Sequence, residues 1–192
     1  SDKLKGYNIG SDGRSRSFVK MFRTVTGRCA WSSSTYPFGS ARWTREFIKP
    51  PAGYMYAYID WCFQEPCISA YLSGDKNLIE DVQSGDVYLA AAKRVHAVPD
   101  AATKKSHPEE RNIYKKGVLA SSYLMGARSL AHQLKISLKD GYNVHVKIRR
   151  AYWHYFKWGD LLVRKLQGQN TLQTIYGWTR HIPRGHKVNL RS

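Results

Sequence analysis

Four residues of one segment have types and a spacing that suit binding of a nucleoside triphosphate. Every fourth position carries one of them: Arg111, Lys115, Leu119 and Tyr123. At 100° per residue, this spacing places all four along one side of an α-helix. Two cations near the helix start would pair with phosphates, and the apolar residue and the tyrosine would then meet a sugar and a base. An amphipathic surface helix with snorkelling cations explains the spacing at least as well.

A second candidate for chemistry is the carboxylate of Asp60. It ends a stretch rich in aromatic and branched residues, which predicts a β-strand over residues 54–60. The period of two places Asp60 on the same face as three tyrosines, Tyr54, Tyr56 and Tyr58. A carboxylate where a strand turns into a helix is a common metal ligand or catalytic acid. An aspartate that caps the following helix would look the same.

The elements that position these residues alternate between helices and strands. Helical patterns cover residues 64–72, 76–83, 86–97, 108–125 and 144–167. Pro108 opens the fourth helix, and Gly117 within it costs about 1 kcal/mol relative to alanine for no reason visible in the sequence. Residues 98–106 read as a polar loop, and 171–182 as a hairpin around Tyr176-Gly177. We therefore expect a mixed α/β (α+β) fold.

The charge of the chain points to a polyanion partner. The 192 residues carry 31 Lys and Arg against 14 Asp and Glu, a net charge of +17. Residues 1–59 carry a net +7, residues 60–110 a net −4, and residues 111–192 a net +14. An acidic stretch between two basic ones suits a protein that holds a cation beside phosphates. Solvated helix faces explain most of these acids equally well.

Several other classes of protein are disfavoured. No run approaches the roughly 18 apolar residues of a membrane-spanning helix, so no membrane partner is expected. Three cysteines make a disulfide scaffold improbable, and neither zinc-ligand spacing nor a phosphate-binding Gly-x4-Gly-Lys loop occurs. Nothing at the N-terminus reads as a signal peptide, which predicts a cytoplasmic protein.

An aromatic block, residues 152–158, allows two interpretations. Six of its seven positions are Tyr, Trp, Phe or His. Such a block stacks the bases of single-stranded nucleic acid in some proteins. Packing of a helix between the core and a partner is the more ordinary explanation, and we favour it.

Four segments in order resemble those of family A DNA polymerases, in a divergent, phage-like form. The first catalytic motif of that family, Asp-Tyr-Ser-Gln-Ile-Glu followed by Ala-His-Leu-Ser-Gly-Asp, is similar to Asp60-Trp61-Cys62-Phe63-Gln64-Glu65 and to Ala70-Tyr71-Leu72-Ser73-Gly74-Asp75. The other three segments are Thr26-Gly27-Arg28 with Ser32–Ser34, then Arg111-x3-Lys115-x7-Tyr123, then Thr174-Ile175-Tyr176-Gly177-Trp178-Thr179-Arg180-His181-Ile182-Pro183. The resemblance covers nearly the whole chain, and it implies the cytoplasm of a bacterial or phage-infected cell. It implies a partial palm over residues 1–97 and mainly helical fingers over 98–192.

The resemblance implies template-directed DNA synthesis with two Mg²⁺ ions, primer–template DNA and a dNTP. Asp60 would be one of the two carboxylates that hold the ions, and the backbone carbonyl of Trp61 would be a further ligand. Glu65 would be the steric gate that excludes a ribose 2′-hydroxyl. Phosphoryl transfer of this kind needs metals and cations on the transferred phosphates.

The remaining implied roles concern the nucleotide and the DNA. Arg111 and Lys115 would hold the triphosphate, and Tyr123 would sit at the nascent base pair. Leu119 stands where the family carries an aromatic residue against the sugar, and Tyr88 stands where it carries a histidine that reaches a phosphate. The implied DNA contacts are Gly27, Arg28, Ser33, Arg128 and Arg180, with Arg28 in the minor groove of the primer–template.

One family feature has no counterpart in the chain. The second metal-binding aspartate of the family comes from a later His-Asp-Glu motif, and neither a His-Asp nor an Asp-Glu pair occurs here. Two-metal catalysis needs both carboxylates, so we expect a fragment that is inactive or very weak alone. The rest of the palm would then lie either on a second polypeptide or on a part of the same protein that this sequence does not include. The alternatives are a non-catalytic nucleic-acid-binding module or degenerate polymerase relative, and a basic interaction protein with coincidental motifs.

Overall fold

The computed structural model describes residues 9–24, 26–32, 36–39 and 42–181. The chain divides into two compact units, Ser1–Asp60 and Trp61–Ser192. In the first unit a short antiparallel ribbon pairs β1 (Val19–Lys20) with β2 (Ala30–Trp31). Two 3₁₀ turns follow, at Pro37–Gly39 and Arg42–Phe47. Ser33, one of the implied DNA contacts, lies outside the described residues.

The second unit contains the regular structure of the chain. Its helices are α1 (Gln64–Ser73), α2 (Lys76–Gln83), α3 (Val87–Arg94), α4 (Pro108–Ser122), α5 (Ala127–Leu134), α6 (Leu138–Ala151) and α7 (Trp153–Gln169). Strands β3 (Thr171–Gln173) and β4 (Thr179–His181) form an antiparallel hairpin. The mixed α/β class is therefore confirmed, with helices dominant. None of the helices in the described part of the chain is long and apolar enough to cross a membrane.

Most of the predicted element ends follow from local capping. α1 ends at Gly74, whose φ of 66° lies in the left-handed region that glycine adopts without strain. Asp75 and Asp86 cap α2 and α3, because their side chains accept hydrogen bonds from the Leu78 and Leu89 amides. The hairpin turn at Gly177 uses another left-handed glycine, at φ 84°.

The predicted strand over residues 54–60 is wrong. The structure has no regular secondary structure there, and the side chains of the segment are exposed, from 57% at Tyr56 to 91% at Ile59. A strand needs a neighbour for its backbone hydrogen bonds, and within the described residues no strand pairs with this segment. Residue types alone predicted the extended chain but not a partner for it.

The single helix predicted over residues 144–167 is also wrong. The structure divides it at Tyr152, whose φ of −115° and ψ of 46° end α6 and begin α7. Helix α2 and its cap hold this bend. The side-chain amide of Asn77 donates to the Ala151 carbonyl over 2.8 Å, and the backbone amide of Tyr155 donates to the Asp75 carboxylate over 2.9 Å. The side chain of Tyr152 is 1% exposed and donates to Asp81 over 2.7 Å. These partners are distant in sequence, so helical periodicity alone does not reveal the bend.

Gly117 has a packing role that the sequence does not show. A Cβ at this position would lie 2.7 Å from Ile148 Cδ1 and 3.2 Å from Val144 Cγ1. The missing side chain therefore lets α6 approach the backbone of α4. The core around this contact includes Tyr114, Val118 and Ile148.

Replacement of Gly141, which faces α5, tests how closely the helices pack. In Gly141→Ala the new Cβ would lie 2.8 Å from the Ala131 Cα and 3.1 Å from the Ala127 carbonyl oxygen, which are backbone atoms that cannot rotate away. We expect the free energy of unfolding, measured by chemical denaturation, to fall by about 1–3 kcal/mol. Gly159→Ala is the matched control: nothing lies within 4 Å of its Cβ, so it should gain up to about 1 kcal/mol from helix propensity. Equal effects of the two changes would contradict the packing.

A half-buried histidine on α6 should make stability depend on pH. Burial, and then the charge of Arg149, lower the pKa of His145 below its usual 6.5, and the backbone of Met125 opposes this only partly. The unfolded chain therefore takes up a proton on this imidazole at a higher pH than the folded chain does. The stability that this difference contributes is complete above about pH 6.5 and is lost as the pH falls towards the folded pKa. We expect His145→Gln to lose stability less steeply than the parent chain between pH 7 and pH 5 in thermal unfolding. Parallel pH profiles for the two chains would contradict this assignment.

Candidate nucleotide-binding site

Helices α1, α3 and α4 bring five of the predicted site residues together. We call them the nucleotide-binding cluster, and they are Glu65, Tyr88, Arg111, Lys115 and Tyr123. Arg111 and Lys115 lie one turn apart on α4, and Tyr123 caps the end of that helix. Sequence spacing predicted the side of α4 that these residues share. The structure adds the opposite side of the site, which comes from α1 and α3.

The ring of Tyr88 lies beneath both cations. The Arg111 Cζ lies 5.6 Å from the ring centroid and the Lys115 Nζ lies 5.9 Å from it. Phe63 meets the same ring edge-on, with centroids 5.2 Å apart. Tyr88 is only 6% exposed, so an aromatic face in contact with the core supports the two positive charges. Burial, and then the negative charge of Glu65, raise the pKa of the Tyr88 hydroxyl, which therefore stays protonated at neutral pH.

Glu65 and Tyr123 make the second direct contact of the cluster. The Tyr123 hydroxyl donates to the Glu65 carboxylate over 2.6 Å, joining the first turn of α1 to the end of α4. Tyr123 is 60% exposed and Glu65 is half-buried, so solvent reaches both side chains. Leu119, the other member of the stripe, is half-buried and packs against the core. The stripe thus runs from cations to an exposed phenol, in the order that a triphosphate, a sugar and a base would require.

Asp86 joins the site although residue types and spacing alone gave it no role there. Its Oδ1 accepts from the Leu89 amide over 3.2 Å, and its Oδ2 accepts from the Arg111 Nε over 2.6 Å. One carboxylate therefore starts α3 and also orients the guanidinium that stands over Tyr88. Lys115 makes no ion pair with a carboxylate among the described residues, and its side chain is exposed over the Tyr88 ring.

Tyr155 is a second residue that sequence reasoning missed. Burial raises the pKa of its hydroxyl, and the hydroxyls of Ser69 and Ser122 only partly offset this. Together with Glu65 these residues line a cavity of about 20 Å³ between α1, α4 and α7. The aromatic block that contains Tyr155 indicated core packing, but not which helices it joins.

The other predicted site residues belong to other segments of the chain. Asp60 and Trp61 are exposed, and they fall on either side of the boundary between the two units. Gly27 adopts a φ of 77°, next to the exposed Arg28, whose amide donates to the Thr24 hydroxyl. Two further arginines are also exposed: Arg128 on α5 and Arg180 on β4.

The residues present do not by themselves fit two Mg²⁺ ions. Mg²⁺ demands six oxygen ligands in octahedral geometry, and two ions need several bridging carboxylates. Among the described residues no three His, Cys, Asp or Glu side chains gather at one place.

Asp60 is not the cap of the following helix, since Phe63 holds that position with a φ of 53°. The capping alternative for Asp60 is therefore excluded.

Comparison with known proteins defines the class. DNA polymerase family A matches residues 2–192, and the chain belongs to this family. It is 25% identical over 190 residues to the thermostable DNA polymerase I of Thermus caldophilus, covering 95% of this chain and 22% of that protein. The corresponding enzyme of Thermus aquaticus is 25% identical over 179 residues, covering 89% and 21%. The chain thus spans about a fifth of the length of these relatives.

A solved structure shows the same fold. It is the POL domain of Pol1 from M. smegmatis in complex with DNA primer-template and dNTP. The TM-score is 0.77 at 24% identity, and the match covers 98% of this chain and 34% of that one. The fold resemblance predicted from four short motifs is therefore confirmed over nearly the whole chain.

Two substitutions separate the tasks of Asp86. Asp86→Ala removes both the cap of α3 and the partner of Arg111, and should lower the free energy of unfolding by about 1–2 kcal/mol. Asp86→Asn keeps an oxygen for the Leu89 amide but removes the charge, so it should cost clearly less. Chemical denaturation followed by helical circular dichroism measures both. If the asparagine variant is as unstable as the alanine variant, the ion pair and not the cap dominates.

Proposed function

We propose that this chain forms the dNTP-binding part of a template-directed DNA polymerase. Its reaction would be transfer of a deoxynucleotide to a primer 3′-hydroxyl. The observation that carries the proposal is the convergence of the nucleotide-binding cluster from three helices. Membership of DNA polymerase family A supports the same reading.

Each member of the cluster has a task that its surroundings support. Arg111 and Lys115 would bind the triphosphate, because both cations stand on the Tyr88 ring at the start of α4. Glu65 would exclude a ribose 2′-hydroxyl, and its bond to Tyr123 would hold the phenol at the nascent base pair. Leu119 would pack against the deoxyribose.

The proposed function also includes contacts with metal ions and with DNA. Asp60 and the Trp61 carbonyl would supply one part of a two-Mg²⁺ site, and a second carboxylate would come from a polypeptide segment outside this chain. The basic residues Arg28, Arg128 and Arg180 would contact primer–template DNA, with Gly27 and Ser33 beside Arg28. All three arginines are exposed, as contact with a phosphate backbone requires.

Binding of a dNTP to matched variants tests the proposal. Arg111→Ala and Lys115→Ala should each weaken binding about tenfold or more, because each removes a charge-assisted contact with phosphate. Lys116→Ala is the control, since Lys116 is exposed and projects about 100° away around the same helix. Equilibrium dialysis with a labelled dNTP measures the dissociation constants. Equal losses in all three variants would show that net charge, and not the cluster, holds the nucleotide.

Primer extension then separates an enzyme from a binding module. We expect little or no extension by the chain alone, and extension when a polypeptide carrying the His-Asp-Glu segment of the family is added. Asp60→Ala should abolish that extension. Primer–template binding that ignores dNTP, Mg²⁺ and the Arg111 and Lys115 variants would instead identify a non-catalytic nucleic-acid-binding module.

A further inference from the structure

The aromatic block at the start of α7 divides between the core and the surface. Tyr152 and Phe156 are 1% and 7% exposed, whereas Trp153 is 54% exposed. The preferred interpretation, core packing, therefore explains part of the block and leaves the Trp153 ring facing outward. Trp153 lies immediately after the bend that Tyr152 makes between α6 and α7.

An open groove lies at this bend. We call it the elbow groove; it has a volume of about 490 Å³ and is lined mainly by Arg149, Arg150, Trp153, Phe156, Lys157 and Asp160. The last turn of α6 contributes both arginines, and the first two turns of α7 contribute the rest. Three cations face one carboxylate there, so the groove is positively charged and has an aromatic floor.

Two cations of the groove stand on aromatic rings, and among the described residues only one of the three cations pairs with a carboxylate. The Arg149 guanidinium lies 4.5 Å from the centroid of the Phe156 ring, and the Lys157 ammonium lies 5.2 Å from that of Trp153. The Arg149–Asp160 ion pair is 3.6 Å long, compared with about 2.7–2.9 Å for a charge-assisted hydrogen bond. Arg150 is exposed and has no carboxylate partner among the described residues. A polyanion would therefore displace little in order to bind.

We propose that the elbow groove binds single-stranded nucleic acid, with phosphates on its three cations and an unpaired base stacked on Trp153. An exposed aromatic ring beside several cations is the combination that single strands require, because only unpaired bases expose their faces. A duplex would use the cations and leave the ring without a role. The proposal does not depend on the nucleotide-binding cluster, since the two sets share no residue.

A purely structural role for these residues makes a different prediction. Arginines at the end of α6 also complement the helix dipole, and Arg149 also packs on Phe156. In that case, substitutions in the groove would change the stability of the fold and leave nucleic-acid binding as it is. The tests therefore use Arg150 and Lys157, which are both exposed, and leave Arg149 in place.

Binding of the full chain to a labelled oligothymidylate tests the charges. The pair Arg150→Gln/Lys157→Gln should weaken binding and lower the slope of log affinity against log salt by about 1.4, at roughly 0.7 for each phosphate contact with a single strand. The matched pair is Lys139→Gln/Lys165→Gln, which removes the same charge from exposed sites of α6 and α7 outside the groove. Equal losses in both pairs would overturn the proposal. Competition by polyglutamate as strong as that by unlabelled oligothymidylate would overturn it too.

The aromatic ring is tested separately. Trp153→Leu should weaken oligothymidylate binding roughly fivefold or more, and Trp153→Phe should retain much of it, because stacking survives on the smaller ring. Binding of the corresponding duplex should respond to neither change. Thermal unfolding confirms that both variants fold. If both bind oligothymidylate like the parent chain, Trp153 does not stack a base and the proposal fails, whatever the dNTP experiment shows.

Discussion

Two buried carboxylates on one short helix hold the second unit together. Asp75 and Asp81 are 1% and 5% exposed, and both reach from α2 to the bend between α6 and α7. Asp81 accepts two hydrogen bonds from Arg94, at 2.8 and 2.7 Å, and a third from Tyr152. Straightening the bend would take the Tyr152 hydroxyl from Asp81 and the Tyr155 amide from Asp75, and a buried acceptor that loses its donor costs about 1–3 kcal/mol. Burial raises the pKa of the Tyr152 hydroxyl, and the negative charge of the neighbouring Asp81 raises that pKa further.

The nucleotide-binding cluster depends on that bend. Because α6 stops at Ala151, it lies across Gly117 of α4 while α7 turns to pack on α1. These two contacts fix α1 and α4 relative to each other, and Glu65 then meets Tyr123 at their ends. The cations of α4 lie on Tyr88 because α3 packs on the same helix. The site is thus a consequence of helix packing and not of one local motif.

The sequence predicted parts of this arrangement according to how local their causes are. The C-terminal end of α1 and the starts of α2 and α3 depend on Gly74, Asp75 and Asp86, which act within one turn, and each lies within one residue of the prediction. The C-terminal end of α3, predicted at residue 97, lies at Arg94. The bend at Tyr152 depends on partners more than seventy residues away in sequence, and periodicity gave no sign of it. The prediction of a strand over residues 54–60 is wrong for a related reason, since a strand needs a neighbouring strand for its backbone hydrogen bonds. The sequence revealed the stripe on α4, but not that α1 and α3 face it.

The distribution of charge also has a different meaning in three dimensions. The acidic stretch 60–110 suggested a cation site, but three of its acids stabilise the fold instead. Asp75 and Asp86 cap helices, and Asp81 anchors Arg94. Such acids are held by amides, a guanidinium and a phenol inside the unit, so they do little to neutralise its surface. Asp75 and Asp81 are buried, whereas the basic side chains on α4, α6 and α7 are largely exposed. A polyanion approaching this unit therefore meets mainly cations, although the acidic and basic residues interleave along the chain.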